Sequence, residues 1–157
     1  VALGIYMHDL PFSPEKLQFY SWHKWAGVSA FFLVLFRLVW RITHRPPALP
    51  AAMQAAMPGW QKAAHHGVHH LMYALFFIVP LLGWAYSSAA GYPIVLFGAL
   101  PLPDFVGKNP ELAEALKPWH GRLAWTLAAL IVLHVLAVIK HQLIDRDGLL
   151  NRMLPGR

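Results

Sequence analysis

The chain has no cysteine among its 157 residues. Disulfides, thiolate metal ligands, iron–sulfur clusters and thioether-linked haem are therefore excluded. Charge is scarce as well. Only 13% of residues are Asp, Glu, Lys or Arg, against roughly 25% in soluble domains. Acidic residues number 7, and none lies within the long apolar runs, so a carboxylate-rich metal centre inside them would lack ligands. No internal repeat or low-complexity tract is present.

Apolar residues, by contrast, make up 57% of the chain, with a mean hydropathy of +0.44. Three runs, 20–42, 67–89 and 119–139, are long enough to cross a hydrocarbon core of about 30 Å. Residues 1–7 form a fourth apolar piece too short to span. The chain does not open on methionine, and a cut signal peptide would not leave an apolar stub, so 1–7 reads as the end of a truncated first helix. The expected fold is all-α: a transmembrane four-helix bundle in one membrane-embedded domain over 1–157.

A net charge of +6 could suggest nucleic acid, but the positions of the charges point to a membrane instead. Arg37, Arg41, Arg45 and Lys62 flank the loop at 42–62, and Lys140, Arg146, Arg152 and Arg157 follow the last run. The opposite ends are mixed in sign. The positive-inside rule then puts that loop and both termini in the cytoplasm, with 8–18 and 90–117 outside. Trp22, Trp25, Trp40, Trp60, Trp84 and Trp119 fall near run ends, as an aromatic belt would. Residues 46–50 read as an extended proline linker. Asn109 before Pro110 starts a short amphipathic helix over 110–117 on the outer surface.

Histidine is the residue that carries chemistry here. His120 and His134 share one run, fourteen residues apart, which is close to four turns and about 21 Å on nearly one helix face. Ionisable side chains within a membrane are costly and mark function. The spacing suits one helix giving an axial ligand to each of two stacked haems. His23 matches His120 in depth, and each follows a tryptophan, so an outward haem could sit between them. A ligand-free interfacial histidine is the plainer alternative.

His134 has no evident partner. The candidates are His44, the cluster His65, His66, His69 and His70, or a residue on the first helix. The cluster contains an H-x-x-H-H box like those of membrane di-iron enzymes. Such sites need about eight histidines, and this chain has a single box. An inward polar wall for quinone or protons suits the cluster better, with interfacial filler an equal alternative. His141, two turns beyond His134, could hold a quinone carbonyl or simply snorkel. Arg37 and Arg41 could pair with haem propionates or anchor their helix, and His8 and His44 read as loop residues.

Several stretches, taken in order, resemble the bacterial cytochrome b561 family, closest to its superoxide oxidase branch. They are Trp22-His23, Phe36-Arg37-Leu38-Val39-Trp40-Arg41, Ala64-His65-His66-Gly67-Val68-His69, Leu116-Lys117-Pro118-Trp119-His120, Leu133-His134, His141 and the tail Asp145 to Pro155. The resemblance covers nearly the whole chain. It implies a four-helix, di-haem protein of the bacterial inner membrane, with His23 and His120 on the outward haem b. His134 would bind the inward haem b opposite a first-helix histidine, and ubiquinone would dock near His141 and Arg37 or Arg41.

The activity so implied is superoxide:quinone oxidoreduction, with Lys24, Lys108, Lys117 and Arg122 attracting the anion. The alternative is a relay or anchor subunit passing electrons between a partner dehydrogenase or hydrogenase and the quinone pool. A haem-free metal or proton transporter is a third class, which a Soret band would exclude.

Overall fold

A computed structural model describes residues 1–44 and 58–145. The proline linker at 46–50, the tail from Arg146 and the side chains of Trp60, Lys62 and His65 lie outside that description. Helix α1 spans Ala2–Asp9, α2 Pro14–Thr43, α3 Gly59–Ala89 and α4 Pro110–Lys140. A two-residue hairpin, β1 (Val95–Leu96) and β2 (Leu100–Pro101), lies between α3 and α4, and a π-helical turn, His141–Asp145, follows α4. Three helical stretches, Pro14–Thr43, His66–Ala89 and Pro110–Asp145, are long and apolar enough to cross a membrane. The all-α bundle read from the sequence is therefore the observed class.

Helices α2 and α4 start earlier than hydropathy alone indicates, because capping rather than apolarity sets their boundaries. The Ser13 hydroxyl accepts from the Lys16 amide at 3.1 Å, with Pro14 in the first turn, where its missing N–H costs nothing. The Asn109 side chain accepts from the Leu112 amide at 3.0 Å in the same way. The segment 110–117 is not a separate surface helix. It is the opening of α4, which continues through Pro118. Proline there removes only the bond to the Glu114 carbonyl, and strong helix formers on the preceding turns hold the register.

Little of this apolar surface is buried inside the chain. Only 6%, 11% and 6% of the three spanning windows are buried, so most of the helices' surface is left uncovered by the chain itself. The buried apolar positions are Val28, Leu75, Ala89, Ile94, Ala113 and Leu127. Three of these six, Ala89, Ile94 and Ala113, lie at or beside the connection between α3 and α4, the end termed outer.

That connection is pinned by polar side chains. The Trp25 indole donates to the Val95 carbonyl at 2.7 Å and its ring meets Phe97 at 5.6 Å. The Ser88 hydroxyl donates to the Asp104 carboxylate at 2.7 Å, and the Asn109 amide to the Ala89 carbonyl at 2.8 Å. Gly91, at φ +79°, makes the turn out of α3, and a Cβ there would lie 3.2 Å from the Lys108 side chain. Both the left-handed backbone and the close lysine stem select glycine. Trp25 and Trp84 thus hold the outer loop in addition to marking the boundary. The Trp84 ring packs on Phe105 at 5.2 Å, and its buried indole N–H has no acceptor among the described residues.

Candidate functional site

Two imidazole pairs face each other across helix boundaries. At the outer end, His23 of α2 meets His120 of α4 with ring centroids 6.0 Å apart and planes at 84°. Two imidazoles on opposite sides of one metal, with nitrogens at about 2 Å from it, have centroids roughly 6 Å apart. The outer pair has that separation.

The surroundings fit the same role. His120 Nδ1 lies 3.0 Å from the Val79 carbonyl of α3. A carbonyl only accepts, so Nδ1 carries the proton and Nε2 is left with its lone pair for a metal. Gly83 makes room for that ring: a Cβ there would come within 2.8 Å of His120 Cε1. A Cβ at Gly4 of α1 would lie 3.4 Å from His23 Cε1, and one at Gly27, a turn beyond His23, would meet nothing within 4 Å. Two ring nitrogens, glycines against each ring and open space beside them form a cradle suited to a flat macrocycle.

At the inner end, His134 of α4 meets His69 of α3, with centroids 5.1 Å apart and planes at 84°. Helices α3 and α4 are antiparallel, and fourteen residues separate both His69 from Gly83 and His120 from His134. The two sites are thus one register repeated four turns apart. Where α3 presents glycine to the outer histidine, it presents an imidazole to the inner one. Sequence reasoning named His69 only as part of a cluster. Its pairing with His134 follows from that register, which a single helix pattern does not carry.

The remaining candidates divide into groups. Arg37 Nε donates to the Tyr73 hydroxyl at 2.9 Å, and the Arg41 guanidinium lies 5.8 Å from the Tyr73 ring centre. His141 Nδ1 stands 3.1 Å from the Asp145 carboxylate, which Lys140 also holds at 2.7 Å. His70 Nδ1 bonds to the His66 carbonyl within its own helix at 2.7 Å. The His44 ring stacks on Trp40 at 3.9 Å.

The outer cations are not gathered into one funnel. Lys24 Nζ donates to the Tyr92 carbonyl at 3.0 Å, and the Lys108 stem crosses Gly91, so these two meet at one turn. Arg122 instead lies over the Trp119 ring at 5.5 Å. Among the described residues, no group of three or more His, Asp or Glu side chains is placed to hold a metal ion.

Membrane-length helices that turn imidazoles toward one another across their boundaries are an arrangement in which a helical bundle can hold a cofactor between facing side chains. The comparison with known proteins gives the family. The chain belongs to the prokaryotic cytochrome b561 family, whose model matches residues 1–156.

It is 37% identical over 86 residues to cytochrome b561 homolog 2 of Escherichia coli (strain K12), covering 53% of this chain and 44% of that protein. It is 33% identical over 87 residues to a probable superoxide oxidase CybB of Yersinia pestis, covering 55% of this chain and 49% of that one. The matched segments span about half the length of these curated relatives.

Proposed function

We propose that this chain conducts electrons from superoxide at its outer end to ubiquinone at its inner end. The outer imidazole pair, 6.0 Å apart with the His120 tautomer fixed by Val79, is the observation that carries the reading. His23, His120 and His134 are the residues that would hold b haems, and such haems would supply one-electron transfer.

The protein's own residues do the rest. His23 and His120 would hold the outer haem, with Gly83 making room for the His120 ring and Gly27 leaving open space beside His23. His134 would hold the inner haem. His69 stands closer to His134 than two imidazoles on opposite sides of one metal would, so it acts as a polar neighbour that orients the ligand and tunes its basicity. Lys24 and Lys108, meeting at the Gly91–Tyr92 turn, favour approach of a small anion. His141, held against the Asp145 carboxylate, lies at the end where a quinone would take up protons. Two superoxide ions give up one electron each and leave as dioxygen, while the quinone takes two electrons and two protons to become quinol.

The test is a haem count by pyridine haemochrome, followed by superoxide-dependent ubiquinone reduction in vesicles. Quinol formation that needs superoxide and is lost in His120→Ala supports the reading. A fully haem-loaded protein that reduces no quinone from superoxide rejects it.

A further inference from the structure

We propose that Arg37, Arg41 and Tyr73 form a binding site for the phosphate of an anionic phospholipid at the C-terminal end of α2. Arg37 and Arg41 are one turn apart on the same face of α2. Their head groups converge on one phenol of the neighbouring helix. Arg37 Nε donates to the Tyr73 hydroxyl at 2.9 Å, and Arg41 sits 5.8 Å from the centre of the same ring.

Two guanidinium groups gathered around one neutral ring repel each other unless an anion lies between them. None of the ion pairs among the described residues involves either arginine: the acids engaged are Asp9, with His8, and Asp145, with Lys140 and His141. Helix-end snorkelling or pairing with the α2 dipole would leave the two head groups splayed toward water. Here the phenol fixes the Arg37 fork by its Nε, leaving the paired Nη donors for an oxyanion, the bidentate geometry guanidinium offers to phosphate.

The depth fits a lipid headgroup. Arg37 lies six residues before the end of α2 at Thr43, about 9 Å along the axis. The flanking Phe36, Trp40 and Ile42 are 66%, 55% and 74% exposed, so this stretch faces lipid rather than the bundle. Phe36 and Trp40 rings lie 6.3 Å apart, an aromatic pair where the headgroup boundary is expected. Basic pockets between membrane helices are the usual receptors for anionic headgroups.

The experiment uses the full, haem-loaded chain in nanodiscs of mixed phosphatidylglycerol and phosphatidylcholine, with lipids retained on extraction counted by native mass spectrometry. Wild type should keep phosphatidylglycerol several-fold over phosphatidylcholine. The Arg37→Gln, Arg41→Gln double variant should lose that preference. Tyr73→Phe, which keeps both charges but frees the Arg37 fork, should lose part of it. Unchanged haem content checks that each variant folds.

No preference in wild type, preference surviving in the double variant, or full preference in Tyr73→Phe would each overturn the site. A second arm loads haem dimethyl ester in place of haem. If wild type then loads poorly and the double variant is indifferent, the arginines serve haem carboxylates and the lipid assignment is overturned.

Discussion

The outer and inner ends of the bundle repeat one helix–helix register but build opposite environments around it. At the outer end α3 offers Gly83, whose missing side chain lets the His120 ring lie against the helix and reach His23 of α2. At the inner end α3 offers His69, which fills the equivalent place and meets His134 at 5.1 Å. A glycine makes a histidine available to a third helix, whereas a histidine at the same register engages it locally. Ligation by facing side chains is therefore decided as much by the residue opposite as by the ligand itself.

The largest effect that tests this contrast comes from removing a ligand. His120→Ala is expected to abolish the outer haem signal and leave the inner one, read in reduced-minus-oxidised spectra. His134→Ala should do the reverse. Loss of both signals in either variant would mean the two ends are not separate sites.

Filling the space at Gly83 comes next. Gly83→Ala places a Cβ within 2.8 Å of His120 Cε1, and overpacking of this kind costs about 1–3 kcal/mol. Weakened haem retention at the outer site alone is the expected result, measured by haem transfer to an apo-globin scavenger. The complementary change, His69→Gly, makes the inner register resemble the outer one. His134 should keep its haem while the inner midpoint potential shifts, because an orienting polar neighbour is gone. Loss of the inner haem in that variant would show that His69 is itself a ligand.

The smallest effect concerns the outer loop, which has no inner counterpart among the described residues. Ser88→Ala deletes the donor to Asp104, and a single hydrogen bond of this kind contributes about 1 kcal/mol. A slight drop in thermal stability with both haem spectra intact is expected. Spectral change at the outer site would tie the loop to the haem pocket.

Much of this was legible in the sequence. Run length and hydropathy indicated three spanning helices, and the sequence put His23 and His120 at one depth, the level at which the structure brings their rings 6.0 Å apart. The Asn109-Pro110 start was also visible, because capping is local chemistry. What escaped was tertiary. The His69–His134 contact and the space at Gly83 depend on how α3 and α4 align. The hold of Trp25 on Val95 needs a hairpin that composition does not announce, since Val95–Leu96 and Leu100–Pro101 are too short for a periodic signal. The continuation of α4 through Pro118 was missed because proline reads as a breaker, although one lost bond in a long helix is readily tolerated.

The most direct test of the central claim is low-temperature electron paramagnetic resonance of the oxidised His134→Ala variant, which isolates the outer site. Two imidazoles at 84° on one ferric haem predict a low-spin, strongly anisotropic signal that disappears in a second substitution, His23→Ala. A high-spin signal in His134→Ala, or a low-spin signal that survives removal of His23, would contradict His23 and His120 as the axial pair.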